Sequence, residues 1–402
     1  MKTRQSNIRS RYFADIGYQS LNHDGEELCG DHVEIAESSV NDGEHFSKII
    51  VLADGLGSGV KANILAILTS KIISTMLAAD MQIEDAVETI AATLPVDKSV
   101  NTAFSTFTIF QVFDNRIARI IEYENPNVIL IRDGKSVEFA RSVKNIDDKE
   151  ISFSEIGLQE NDLFFLMSDG VLYASKNGVY NDKWDRDHVI SYMETFYNIG
   201  FTAKTLTTIL LDETKKLYGD HPTDDATVCT ILIRNRETVN LCFGPPAVFE
   251  DGKKMMTFFF GREGKHIVCG GTTAKIAADF LGKPVITSDL EPDPEIPPIS
   301  TVEGIDLVTE GIVTMNRVVI YAKDYLADNS SFEKWSYKKD GASQIARMLF
   351  ETATDVNLFI GKAVNPAHQN MQQLSFDVKM RLVDELIDCL EKMGKIVTVN
   401  YF

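Results

Sequence analysis

Basic residues are scarce: 40 Lys and Arg stand against 59 Asp and Glu in 402 residues, a formal net charge of -19. A chain so short of positive charge is not built to neutralise a nucleic-acid backbone or to lie on an anionic membrane surface. Cysteine is sparse too. The five, at 29, 229, 242, 269 and 389, are odd in number, unpaired in spacing and mostly in apolar context, which predicts reduced, buried thiols and a cytoplasmic protein. They and the seven His show no close ligand spacing, which speaks against zinc. Met1 to Arg11 is polar and basic with no apolar core behind it, so neither a secretory leader nor a spanning helix is expected there. Phe258-Phe259-Phe260 is short and flanked by charge. With 44% apolar and 25% charged residues, disorder is excluded and the length allows two domains.

What the chain does have is a set of acidic residues in matching settings. Asp31, Asp54, Asp169 and Asp224 each sit where a turn meets an apolar run, in Cys29-Gly30-Asp31, Leu52-Ala53-Asp54-Gly55-Leu56-Gly57-Ser58-Gly59, Phe164-Phe165-Leu166-Met167-Ser168-Asp169-Gly170 and Thr223-Asp224-Asp225-Ala226-Thr227-Val228. Carboxylates gathered in one place repel, and some must take up protons unless cations neutralise them. An all-oxygen set of carboxylates, carbonyls and water suits Mg²⁺ or Mn²⁺. Two such ions, about 3.5 to 4 Å apart, activate a water and polarise a phosphoryl oxygen in many phosphatases. Taken singly each motif is ordinary turn chemistry.

In this order and number the motifs resemble the metal-dependent (PPM) protein Ser/Thr phosphatases, in particular the bacterial SpoIIE-like branch, over roughly the first 235 residues. The resemblance implies an αββα sandwich and two Mn²⁺ or Mg²⁺ ions. Asp54 and the Gly55 carbonyl would hold one ion, Asp31 and Asp224 the other, with Asp169 joining Asp54 around the pair. Asp225 stands where relatives often carry Asn and is assigned a supporting role, leaving open which of Asp224 and Asp225 is the direct ligand. The implied activity is hydrolysis of phosphoserine or phosphothreonine in a protein substrate by a metal-activated water, in bacterial signalling. Many eukaryotic relatives grip the phosphate with an amino-terminal Arg; Arg9 and Arg11 have no recognisable register with it. His23 and His32 border the first acidic motif and are candidate acids or plain loop residues.

Along the chain, Lys48 to Ala53 reads as a buried strand delivering Asp54, and Gly57 and Gly59 permit a tight turn. Val60, Ile64, Leu65, Leu68, Ile72 and Met76 follow at helical spacing, predicting a core helix, and Ile83 to Leu94 predicts a second. In SpoIIE-like relatives this helical pair is a switch, and the same coupling is expected here. Ala103 to Val112, Ile117 to Tyr123, Asn127 to Ile131 and Ser136 to Phe139 read as one antiparallel meander. Asp162 to Met167 delivers Asp169, Val189 to Tyr197 and Lys204 to Lys216 read as helices, and Thr227 to Ile233 closes the domain.

The polar break Arg234-Asn235-Arg236-Glu237 suggests a boundary, giving domains 1–235 and 236–402. Beyond it the alternation predicts a smaller α/β domain: strand at His266 to Cys269, helix at Ala274 to Leu281, a Pro-rich acidic stretch Glu291 to Pro298, helices at Ile305 to Tyr321 and Ala342 to Ala353, strand at Val356 to Ile360, helix at Phe376 to Met393 and strand at Lys395 to Tyr401. Gly270-Gly271-Thr272-Thr273 is a candidate anion site, because free amides at a helix start attract anions. The bland alternative is that a Thr merely caps the helix. Asn365-Pro366-Ala367-His368 is a candidate for the same crevice. Two further readings stay open: a catalytically silent phosphoprotein-binding module, and a carboxy-terminal domain that binds a small molecule and regulates the first. A homodimer is compatible with either. A cysteine phosphatase is disfavoured, since Cys29 and Cys269 lack the Cys-x5-Arg spacing.

Overall fold

The computed structural model describes residues 11–40, 45–93, 105–147, 149–174, 184–197, 199–287, 298–363 and 369–402. Arg9, Asn365 to His368 and Glu291 to Glu295, Ile296 and Pro297 therefore lie outside the described residues. The chain divides into two compact units, Met1–Asn235 and Arg236–Phe402.

In chain order the first unit comprises β1 (Tyr12–Leu21), β2 (Asp31–Val40), β3 (His45–Asp54), α1 (Gly59–Ala78), α2 (Ile83–Thr93), β4 (Thr106–Phe113), β5 (Ile117–Tyr123), β6 (Ile129–Arg132), β7 (Lys135–Ser136), β8 (Ser142–Ile146), β9 (Lys149–Gly157), β10 (Leu163–Met167), α3 (Asp169–Leu172), α4 (Arg186–Glu194), α5 (Ala203–Tyr218) and β11 (Ala226–Asn235). The strands form two antiparallel sheets, ordered β1-β11-β10-β6-β7 and β2-β3-β4-β5-β9-β8. Strand alternation explains why they stack. Ile50 and Leu52 of β3 enter the core between the sheets with Phe110, Phe164, Leu166 and Ile231. Ile49, Val51 and Ala53 face the other way, toward Ala66, Ile73 and Val87 of α1 and α2. On the far side Phe165 and Met167 pack with Leu206 and Leu210 of α5. The result is an αββα sandwich.

The meander expected between residues 103 and 139 is split. β4 and β5 pair with each other, whereas β6 and β7 belong to the opposite sheet, β6 pairing with β10. Alternation specifies a strand's faces but not the sheet it joins.

A larger correction concerns α1. Of the six apolar residues expected to form its core stripe, Leu65, Ile72 and Met76 are partly buried and pack against the core, whereas Val60, Ile64 and Leu68 are 60%, 50% and 41% exposed. The buried face is instead Ala62, Ala66, Thr69, Ser70, Ile73, Ser74 and Leu77. The helix runs so close to β2 and β3 at its start that only small residues fit: a Cβ on Gly55 would lie 2.1 Å from the Ala62 carbonyl oxygen. By length and apolar composition α1 would pass for a membrane span, yet its inward hydroxyls face the sandwich.

The second unit comprises β12 (Thr238–Phe243), α6 (Gly252–Phe260), β13 (Lys265–Cys269), α7 (Gly271–Leu281), β14 (Ile286–Thr287), β15 (Ser300–Thr301), β16 (Leu307–Thr309), α8 (Ile312–Leu326), α9 (Phe332–Ser336), α10 (Gly341–Ala346), β17 (Asp355–Ile360), α11 (Gln369–Lys392) and β18 (Ile396–Tyr401). Its sheet runs β14-β15-β16-β13-β12-β17-β18, and the five strands from β16 to β18 are mutually parallel. Helices cover both faces. Leu241 and Leu358 pack against Met315, Val318 and Leu386, while Cys242 and Phe359 face Met256, Phe259 and Ala277. This α/β domain departs from expectation at Ile305 to Tyr321, where a three-residue strand precedes α8 and Gly311 separates them. At Ala342 to Ala353, α10 passes into a π turn over Arg347–Thr352.

Candidate metal centre

Chain topology brings the acidic residues of the first unit together. β2 and β3 pair so that Asp31 lies directly opposite Asp54, and the two carboxyls approach within hydrogen-bonding reach. Ser168, at the end of β10, donates its hydroxyl to Asp31 Oδ2 at 2.7 Å. The Thr227 amide of β11 in turn donates to Ser168 Oγ at 2.8 Å. Asp169 opens α3, and the Tyr218 hydroxyl fixes that turn by donating to the Gly170 carbonyl at 2.7 Å. Asp224 accepts from the Asp225 amide at 2.9 Å.

Asp54, Gly55, Asp169 and Asp224 line one cavity of about 410 Å³, together with His23 and Ser58. Asp31 is buried behind Asp54 and is not part of the cavity lining. Asp225 is buried and turns away: Oδ1 accepts from the His23 amide at 2.9 Å, and Oδ2 lies where a Cβ on Gly30 would be only 2.7 Å away. Thus Asp224 faces the open space and Asp225 holds the loop.

Among the described residues no Lys or Arg lines the cavity, and the electrostatics follow. Burial, then the charges of Asp31, Asp169 and Asp224, pushes Asp54 well above the usual carboxylate range. Asp31 is raised by burial, against the Ser168 and Thr227 hydrogen bonds that favour its charge. Burial raises Asp169, opposed by the Gly170 amide, and lifts Asp224 to about 6 with help from Asp169. Without a cation Asp54, pushed up to about 9, would hold a proton at neutral pH.

The donor set fits divalent cations. Asp31 Oδ1, behind Asp54, is buried without a hydrogen-bond partner, an expensive state for a carboxylate oxygen that a cation or water would relieve. All donors are oxygen, the preference of Mg²⁺ and Mn²⁺. Among the described residues no three His, Cys, Asp or Glu side chains are already gathered into an ion-binding group. Asp54, Asp169 and Asp224 instead line the cavity side by side.

Helix α1 is tied to this centre by more than Gly55. Asn63 Nδ2 donates to the Cys29 carbonyl at 2.7 Å, and the Gly55 amide to the Gly30 carbonyl at 3.1 Å. The turn before the helix is left-handed at Gly57, φ +88°.

The two histidines separate. His23 lines the cavity, with Nδ1 on the Asp24 carbonyl at 2.8 Å; His32 turns to Glu34 at 3.5 Å. The Arg11 guanidinium bonds Asn235 and Glu160. Sequence reasoning missed Thr106 and Asn125, which line the cavity and share a 2.5 Å hydrogen bond. The only signal was the Asn125-Pro126 turn. Gly270, Gly271, Thr272 and Thr273 belong to the second unit, at the start of α7.

Residues 47–234 match the family model described as stage II sporulation protein E (SpoIIE). The amino-terminal unit belongs to the SpoIIE-like branch of the PPM phosphatases. No curated protein matches the sequence. Among solved structures, the chain is similar to the PP2C phosphatase domain with a regulatory fragment of SpoIIE from Bacillus subtilis, at 17% identity and a TM-score of 0.45, covering 56% of this chain and 64%, under two thirds, of that one. It is also similar to the RsbU and RsbW domains of Rv1364c from Mycobacterium tuberculosis, at 10% identity and TM-score 0.47, covering 82% and 79%. RsbX in complex with magnesium gives 18% identity and TM-score 0.38, covering 55% and 95%.

Proposed function

We propose that the amino-terminal unit hydrolyses phosphoserine or phosphothreonine in a protein substrate, using two Mg²⁺ or Mn²⁺ ions. The observation that carries this reading is the convergence of Asp54, Asp169 and Asp224 on one cavity backed by Asp31, in a SpoIIE-like unit. Asp54, the Gly55 carbonyl, Asp31, Asp169 and Asp224 would hold the ions. When bound, such ions lower the pKa of water and polarise the phosphoryl oxygens.

The chain's own residues do the rest. Four carboxylates would formally balance two divalent ions, leaving the phosphate to be held by coordination. Ser58 caps α1 without a side-chain hydrogen bond and lines the cavity, so its hydroxyl is placed to meet a phosphate oxygen. His23 is held through Nδ1, and Nε2 is the nitrogen left for proton transfer to the leaving alkoxide. The Ser168 hydroxyl keeps Asp31 in place from behind.

The test is phosphate release from a phosphoserine peptide with and without Mn²⁺. Asp54→Asn and Asp169→Asn should each lower turnover by at least about 10²-fold, as loss of a main electrostatic element does. Metal-dependent activity that survives both substitutions defeats the reading.

A further inference from the structure

The carboxy-terminal unit has a topological switch point of its own. Numbered by occurrence, its parallel strands β12, β13, β16, β17 and β18 lie in the order 3-2-1-4-5. Chain direction across the sheet reverses between β12 and β17, and ligands of open α/β sheets bind outside the carboxyl ends of the strands at such a point. Two helices start at the carboxyl ends of the next two strands, β13 and β16, on one side of that point. α7 begins after β13 with Gly270 as its cap, φ +110°, and α8 after β16 with Gly311 as its cap; neither has a side-chain capping bond. A Cβ on Gly311 would lie 3.6 Å from Gly270 Cα and 3.9 Å from the Phe243 ring, so the two helix starts abut at the end of β12.

Each of these helices places a threonine at its third position, Thr273 in α7 and Thr314 in α8. Both are fully buried and both hydroxyls lack a hydrogen-bond partner. Thr273 Oγ1 points back to the helix cap, 3.3 Å from where a Cβ on Gly270 would sit. Capping by Thr272 or Thr273, the bland reading of this loop, is not what the structure has. A buried hydroxyl without a partner costs free energy that a ligand recovers. Positive charge stands beside the same edge: Lys379 of α11 is buried, its ammonium donates to the Gly361 carbonyl just past β17, and it lies 5.3 Å from the Phe243 ring centroid. The exposed Glu310 carboxylate is 3.7 Å from the position of a Cβ on Gly271; it suits a hydroxyl donor next to the anion.

We propose that this edge binds a small phosphorylated molecule, its phosphate seated on the amino ends of α7 and α8 with Thr273 and Thr314 donating, and a sugar hydroxyl reaching Glu310. A bare anion would leave Glu310 unused, so a sugar phosphate or nucleotide fits better than inorganic phosphate.

Hydrogen exchange on the full-length chain, stripped of metal with chelator so that phosphate is not drawn to the acidic cavity, tests this. Inorganic phosphate, ribose 5-phosphate and ADP are each added at about 10 mM, enough to detect millimolar affinity. Protection of residues 270–275 and 311–316 by ribose 5-phosphate and ADP is expected. Tighter binding of ADP assigns a nucleotide, and equal binding a sugar phosphate. Thr273→Val and Thr314→Val, which keep shape and remove the hydroxyl, should each weaken binding about tenfold, as loss of a hydrogen bond to a charged group does. No protection with any probe, or unchanged affinity in both folded variants, overturns the proposal. Neither result bears on the acidic cavity of the first unit.

Discussion

Gly55→Ala probes whether helix α1 and the acidic centre move as one. A Cβ at residue 55 would sit 2.1 Å from the Ala62 carbonyl oxygen and 2.6 Å from its carbon, backbone atoms in the first turns of α1. Ordinary contact begins at 3.4 Å, so the helix start or the Gly55 loop must shift by about 1.3 Å. Overpacking of this kind costs about 1 to 3 kcal/mol, which a domain of this size survives. The shift falls on the carbonyl proposed as a metal ligand, and on the Asn63 bond that anchors the Cys29 loop. Misplacement by about 1 Å can cost about 10²-fold in rate. The assay is phosphopeptide turnover against Mn²⁺ concentration, with circular dichroism to confirm the fold. The Mn²⁺ needed for half-maximal rate should rise and turnover fall by one to two orders of magnitude. A folded variant with wild-type metal dependence would refute the coupling.

The one-sided burial of α1 predicts unequal responses on its two faces: Ile73→Ala should cost about 2 to 5 kcal/mol in urea unfolding, and Ile64→Ser less than about 0.5 kcal/mol. Equal losses would restore the outer stripe to the core. Arg132 makes a two-point bond to the fully buried Asp162, 2.6 and 2.7 Å, so Arg132→Met strands a buried charge and should cost about 3 to 5 kcal/mol; a loss under about 1 kcal/mol in the same denaturation would contradict it. The raised carboxyls set a pH trend for the metal-free protein. Asp224, lifted from 3.8 to about 6, binds more protons folded than unfolded in that window, and Asp31 and Asp54 are raised in the same direction. Stability is therefore greatest below the unfolded values and is lost as pH rises through the folded ones. Thermal melts in chelator should show the decline, with Mn²⁺ removing it; a metal-free melting point that climbs over the same range would contradict the assignment.

Much of the first unit is readable from local chemistry. Lys48 to Ala53 is a run of apolar residues whose two faces both find a core, so the strand and its terminal Asp54 follow from the residues themselves. What could not be read depends on depth and partner. Val60, Ile64 and Leu68 recur at helical spacing, but the gap under α1 is set by the approach of Gly55 to Ala62, a distance invisible in the periodicity. Thr106 enters the cavity because β4 pairs it with Asp54 of β3, and Asn125 because it bonds Thr106 from just past the end of β5. In the second unit β16 has three residues, too few to show alternation, and Gly311 alone marks where α8 starts. Which of Asp224 and Asp225 lines the cavity depends on side-chain direction, which identical neighbours cannot reveal.

The central claim is that the four aspartates share two divalent ions. Calorimetric titration of the chelator-stripped chain with Mn²⁺ tests it most directly. Two ions per chain are predicted, with binding lost or reduced to one in Asp54→Asn and in Asp169→Asn, and retained in Asp225→Asn. Wild-type protein that takes up no Mn²⁺, or binding indifferent to Asp54 and Asp169, would contradict the account.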